Sequence, residues 1–450
     1  MRVGIIGAGP AGTICALSLL RGAQARGQAV EVWLFDGKSF SRIGPQGCNM
    51  CAGVIPTSLF DYLGRLDRTT LDAIVQRYVA GHYFHASAGG IHVPKEAGAT
   101  LCTVFRSAGP RGDTPDEAQS FDNLLLKTAL DLGAWLVPYH VQSIVLPTGA
   151  GAPFLVTTTD GDAHEVDVLV GACGVNSALM TQFEGLGFGY RRPRTYHVAQ
   201  AELPLRPEFI EETFHGEIKI FSLGMKGIRF GALTPKRHHV TVTVIGRQVT
   251  REDLERFLRH PNVLQHFPPG WQIPTHYCHC HPRLPVTAAR NPVTDRLLMI
   301  GDTNIARYLK GGIESAFFTA SLASEMILDG KMSRAELWRG YVRPCHAKYL
   351  TDNAWGRLLF LLNDIISLLR PLTRAAFALL HREEQVVDPR DRLHLHSLWH
   401  IFTGDAPYRQ IALEILSWRA LWTTWRMLRA KEDSEMRPFP ESGEGESGNR

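Results

Sequence analysis

Cysteine is scarce in this chain, with eight in 450 residues. That is far too few for a disulfide scaffold and fits thiols kept reduced in a cytosol. An excess of one charge is missing too: 48 Lys+Arg face 44 Asp+Glu, a formal net charge of +4. So slight a basic balance argues against a nucleic-acid partner. Long apolar runs are absent: the longest, residues 358–369, is broken by Asn363 and Asp364 and followed by Arg370 and Pro371. It is too short and polar to span a bilayer. No basic stretch followed by an apolar run and a cleavage site opens the chain, so no secretory signal is read and a cytoplasmic protein is expected. Apolar residues make up 44%, enough to fold, and the length exceeds the roughly 250–300 residues at which a single core stops growing. At least two cores are expected.

The charge that exists is unevenly placed. Residues 331–431 hold 16 Lys/Arg and 9 Asp/Glu, whereas residues 432–450 hold 2 and 6. The acidic tail, rich in Glu, Ser, Gly and Pro, has little to bury and is expected to be disordered.

Residues 2–6 form a β-branched apolar run, Gly7-Ala8-Gly9-Pro10-Ala11-Gly12 turns the chain, and residues 13–21 have helical character. In a strand, turn, helix context this spacing has a mechanical reading: Gly7 permits the tight turn, Gly9 lets the backbone approach a pyrophosphate, and Gly12 allows close helix–strand packing. The phosphates would sit at the helix N-terminus beside Pro10 and Ala11, where free N–H groups favour an anion. A second strand, residues 30–35, ends in Asp36, suitably placed to accept from a ribose hydroxyl. The same spacing recurs at Gly443-Glu444-Gly445-Glu446-Ser447-Gly448 with no strand before it, and there it is chance. This much predicts a dinucleotide site and leaves FAD and NAD undivided.

A second strand-turn-helix follows near residue 300: Leu297 to Ile300, then Gly301-Asp302, then Lys310-Gly311-Gly312-Ile313, with a helix to about residue 329. Over residues 1–330 the chain resembles the flavoprotein oxidoreductases of the p-hydroxybenzoate-hydroxylase superfamily. The resemblance implies FAD, with Gly301 and Asp302 at the ribityl or pyrophosphate region and Gly311, Gly312 and Ile313 at the flavin ring. Within that superfamily, the segment Cys48-Asn49-Met50-Cys51-Ala52-Gly53 is similar to the Cys-Gly-Gly segment of geranylgeranyl reductases, implying that Cys51 lies near the flavin. Arg106 and Phe121-Asp122 resemble the family's arginine and its following helix, separated here by an insertion at 108–118; Arg106 is therefore expected at the cofactor. Gly171-Ala172-Cys173-Gly174 resembles a turn in which the family carries aspartate where this chain has Cys173.

Other features have plainer readings beside chemical ones. Cys48 and Cys51 could form a redox dithiol, half a zinc site, or separate thiols. The run His276 to His281 alternates His and Cys on one strand face, a pattern that could bind metal but is read as sheet or pocket lining; no metal is expected. Ile411, Ile415, Trp418, Trp422 and Trp425 recur at helical spacing, with Arg409, Arg419, Arg426 and Arg429 largely off that face. Such a stripe should pack on the protein's own core or a partner, or else lie in a membrane interface through residues 409–430, at the inner face of the membrane.

The expected architecture is α/β: an FAD-binding Rossmann-like βαβ domain (1–75, 106–190 and 286–330), an antiparallel-sheet substrate domain (76–105 and 191–285), a C-terminal helical region (331–431) and an acidic tail (432–450). The resemblance implies an FAD oxidoreductase that reduces carbon–carbon double bonds of an apolar isoprenoid or lipid-like substrate, with NADPH as a transient donor or electrons from a protein or quinol. A flavin monooxygenase and a flavin-dependent docking protein are the alternatives. A quinone-linked dehydrogenase with an iron–sulfur cluster is disfavoured, because only Cys345 lies beyond residue 280 and a cluster needs about four thiolates.

Overall fold

The computed structural model describes residues 1–64, 66–149, 151–386, 388, 392–418 and 422. Its centre is a six-stranded sheet in the order Val293–Thr294, Leu297–Met299, Val168–Gly171, Arg2–Ile6, Glu31–Phe35, Trp135–Val137, parallel except for the first strand. Arg2–Ile6 is central and is covered on both faces. Val3 and Ile5 belong to the cluster beneath the helices, while Ile6 belongs to the cluster on the opposite face. That is why this run is apolar throughout instead of alternating.

Helix Pro10–Arg26 packs on helix Gly312–Leu328, and Ser324 Oγ donates to the Cys15 carbonyl at 3.2 Å between them. The two glycine motifs, some 300 residues apart, thus start neighbouring helices. At the first turn, Gly7 takes φ +105°, and a Cβ on Gly12 would stand 1.8 Å from the Gly7 carbonyl oxygen. Only glycine at 12 lets the helix approach the strand this closely.

An eight-stranded sheet forms the second layer, in the order Cys278–Cys280, Thr195–Pro204, His239–Gly246, Phe230–Pro235, Glu217–Ser222, Gly81–Ala86, Gly89–Pro94, with Arg283–Pro285 also on Thr195–Pro204. It is antiparallel save for one pair: Glu217–Ser222 runs parallel to Gly81–Ala86. Strand Leu101–Val104 lies outside this sheet and pairs with Val54–Pro56 and Val75–Tyr78. Among the described residues, helices Arg343–Leu368, Arg370–Glu384, Leu393–Thr403 and Tyr408–Ile415 close the C-terminal side.

The expected C-terminal stripe is corrected here. The Tyr408–Ile415 helix ends before the first tryptophan, so its period does not carry through. Ile411 is buried, but Trp418 is 80% exposed. Trp425, Arg419, Arg426, Arg429 and the acidic tail lie outside the described residues. No described helix is long and apolar enough to cross a membrane.

Candidate functional site

One cavity of about 930 Å³ runs from the first glycine turn to the large sheet and the C-terminal helices. Its first end is walled by Gly7, Gly9, Pro10, Ala11, Asp36, Cys51, Arg106, Asp302, Gly311, Gly312 and Ile313. Ten of the twelve expected cofactor residues, and the expected Cys51, therefore meet at one space. Gly12 and Gly301 stand behind the wall in packing positions. A Cβ on Gly301 would lie 2.9 Å from that of Ala11.

The local geometry suits a dinucleotide. No side chain caps the Pro10–Arg26 helix, leaving first-turn N–H groups for an anion. Asp36 shapes the turn, its carboxylate accepting from Ala8 N at 2.8 Å and Lys38 N at 2.9 Å. Asp302 has no hydrogen-bonding partner among the described residues, and burial pushes its carboxyl up to about 6, offset in part by Arg106. A half-buried acceptor without a partner among the described residues, facing a cavity, is what a ribityl or ribose hydroxyl would satisfy. The residues present fit FAD.

Arg106 reaches this wall because the 108–118 insertion leaves the chain and returns to the same place. Phe121 N donates to the Phe105 carbonyl at 2.9 Å, and Phe105 bridges Ser120. Arg106 then clasps Asp122 with two hydrogen bonds, Nε–Oδ1 at 2.5 Å and Nη2–Oδ2 at 2.8 Å. Burial works against the guanidinium charge, but Asp122 outweighs it and holds the group protonated. Asn49 Nδ2 donates to the same carboxylate at 2.5 Å, which ties the Cys48–Gly53 segment to the pair.

The two cysteines of that segment separate. Cys51 faces the cavity, and its Sγ accepts from Gly53 N at 3.4 Å. Cys48 is not on the wall; its Sγ accepts from Met50 N at 3.2 Å, and burial raises its thiol pKa. Cys173 also lines the cavity, its thiol pushed up to about 12 by burial. The His276–His281 run contributes only an edge strand, with Cys280 opposite Gln200 and Cys278 opposite Glu202.

Beyond the glycine turns the cavity becomes apolar. Ile218, Ile220 and Phe230 of the large sheet face Phe360, Leu398 and Phe402 of the C-terminal helices. Polar groups that were not singled out from sequence also line this end, among them Arg307, Glu314, Lys310 and His82. Lys310 lies between Leu309 and Gly311, both left-handed at φ 60° and 57°. A leucine in that region is uncommon and marks a turn held by its surroundings. Lys310 has no hydrogen bond or ion pair among the described residues, and its Nζ stands 5.7 Å from the Phe230 ring centre. Burial, reinforced by Arg307, brings its ammonium down to about 8. His82 is buried with Nδ1 unpartnered, and burial and then Lys310 bring it down to about 3, so it is neutral at pH 7. Lys310 had a signal in its place directly before Gly311-Gly312; His82, one histidine inside a strand, had none.

No protein-family model matches the chain, and no curated protein matches it. Among solved structures, it is similar to the flavin-dependent brominase Bmp2 in a triple-mutant form, at 17% identity and a TM-score of 0.63, over 92% of this chain and 98% of that one. It is similar to a geranylgeranyl bacteriochlorophyll reductase-like protein from Thermoplasma acidophilum at 15% identity and a TM-score of 0.64, again over 92% and 98%. A flavoprotein/dehydrogenase from Cytophaga hutchinsonii aligns at 14% identity and a TM-score of 0.62, over 95% and 100%. The chain therefore shares the Rossmann-like fold of these flavoproteins. A geranylgeranyl-reductase-like structure stands among these neighbours.

Proposed function

We propose that this chain is an FAD-dependent oxidoreductase that reduces carbon–carbon double bonds of an apolar, isoprenoid or lipid-like substrate. The observation that carries the reading is the continuity of one cavity: a glycine cradle suited to a dinucleotide opens directly into an apolar chamber, with an unpaired cation at the seam. When bound, FAD would supply the two-electron chemistry, as hydride to the substrate. Gly7, Gly9 and the Pro10–Ala11 turn would hold its pyrophosphate, Asp36 would accept from a ribose hydroxyl, and Arg106 and Asp302 would border the ribityl region. Gly311, Gly312 and Ile313 would border its ring.

The remaining work falls to the chamber. Phe230, Phe360 and Phe402 exclude water and align a polyene chain by shape, since such a chain has nothing to hydrogen-bond. Saturating a double bond takes a proton as well as a hydride, and the Lys310 ammonium is the acid placed to supply it. Its pKa near 8 lets it hold that proton at neutral pH and release it readily. Cys51 shapes the ring side of the chamber. NADPH, or a quinol or protein, would deliver electrons transiently.

Two measurements test this. FAD should copurify with the chain, and Gly9→Val should strip it by crowding the pyrophosphate; a Gly9→Val protein with full FAD would defeat the cofactor assignment. Mass spectrometry of lipid extracted from the purified protein should find a polyunsaturated apolar compound. A polar aromatic compound in its place would defeat the substrate class.

A further inference from the structure

We infer that the corner between helices Arg343–Leu368 and Arg370–Glu384 is a docking surface for an anionic lipid bilayer. Leu361, Leu362, Ile365, Leu368, Leu369 and Leu372 are all large, apolar and exposed there, Leu368 by 68%. Isolated exposed leucines are ordinary, but so many within twelve residues form a patch that soluble surfaces rarely leave bare. Neither helix is long and apolar enough to cross a membrane, so the geometry is that of a corner lying in the interface.

The charge around the patch decides its occupant. Arg370 and Arg374 are exposed at the corner. The one acid between 358 and 376, Asp364, is turned inward onto Arg229, with Arg229 Nε donating at 2.8 Å. The surface is thus apolar and purely basic, which complements acidic lipid headgroups. A second copy of the chain placed symmetrically here would set like charges together with no acid on the patch to answer them.

The same long helix has two apolar faces with different neighbours. Leu359, Phe360 and Asn363 line the cavity, and Asn363 Nδ2 donates to Ser222 Oγ at 3.2 Å, while Leu361, Leu362 and Ile365 face outward. A bilayer on the outer face would bring a lipid-dissolved substrate within one helix thickness of the chamber. That use rests on the proposed apolar substrate; the docking surface itself does not.

The test is cosedimentation of the full-length, FAD-loaded protein with vesicles of phosphatidylcholine alone and of phosphatidylcholine with phosphatidylglycerol. Wild type is expected to pellet with the acidic vesicles, and more weakly as salt rises. Leu368→Asp with Leu372→Asp should weaken binding by roughly tenfold or more. Arg370→Gln with Arg374→Gln should remove most of the salt-sensitive part. FAD content and elution volume show that each variant is folded. Wild type left in the supernatant with acidic vesicles at low salt would overturn the inference. So would binding that survives both variants, which would move the contact to residues 409–430, or a dimer that the leucine variant splits, which would assign the face to a second copy. Failure of vesicle binding alongside a polyene in the lipid extract would discard the docking surface and leave the reductase reading standing.

Discussion

Arg106 and Asp122 form a buried, two-bonded ion pair at 2.5 and 2.8 Å across an eleven-residue excursion of the chain. The pair fixes three things together: the start of helix Phe121–Asp131, the cavity wall at Arg106, and, through Asn49, the segment that carries Cys51. Breaking a buried pair strands a charge. Asp122→Ala should cost about 3–5 kcal/mol of stability, whereas the double variant Asp122→Ala with Arg106→Met should cost clearly less, because no unpaired guanidinium remains. Chemical denaturation of the FAD-free proteins measures both. Equal losses in the two variants would mean that the pair is not what holds this wall.

Asp302 should act against the stability of the FAD-free protein. Burial raises its carboxyl from the ordinary range to about 6. For a raised acid, the folded state is favoured while the group is protonated, and that advantage is lost as pH climbs through the folded value. Asp302→Asn, which cannot ionise, should therefore stabilise the FAD-free protein above pH 6 by about 2–3 kcal/mol and do nothing below about pH 4. The same variant should bind FAD more weakly. Thermal melts at pH 4 and pH 7.5 check the first part, and flavin titration the second.

Lys310 should set the basic limb of the turnover profile. With the flavin reduced beforehand, wild-type turnover should fall as pH rises past about 8, because the ammonium loses its proton. Lys310→Met should lose about a hundredfold or more in rate and lose that limb with it. Lys310→Arg should keep a cation in place yet transfer protons poorly, since guanidinium does not give up its proton in this range. A limb unchanged in Lys310→Met would mean another group donates.

The cysteines should divide as their positions do. Cys51→Ala should retain FAD while changing turnover or product pattern, because its side chain borders the cavity. Cys48→Ala and Cys280→Ala should change little beyond stability. Steady-state assays on the three variants decide this, and equal product patterns in all of them would remove Cys51 from the site.

The gathering of residues at the glycine-turn end of the cavity was legible in the sequence because they are local: glycines at 7, 9 and 12, Asp36 after the next strand, and the Gly301–Asp302 and Gly311–Gly312 pairs each occupy one turn. Their meeting is then a matter of parallel strands placed side by side. The chamber was less legible, since it is assembled from a sheet and helices far apart in the chain, and apolar wall residues look like any core. Leu359, Phe360 and Leu398 carry no mark that separates cavity lining from packing. The stripe misled between Ile415 and Trp418, because regular spacing does not show where a helix stops. Lys310 was in plain view beside its glycines, but only the structure shows that it has no hydrogen bond or ion pair among the described residues.

What the reduced flavin does to its substrate separates a reductase from a monooxygenase, and one anaerobic experiment asks this directly. FAD-loaded protein, reduced with dithionite and freed of excess reductant, is mixed without oxygen with the polyene recovered from its own lipid extract. The expected result is flavin reoxidation matched one for one by a product heavier by two hydrogen atoms, and slowed in Lys310→Met. Flavin that stays reduced until air is admitted, with a product that has gained an oxygen atom, would contradict the reductase reading and leave a monooxygenase in its place.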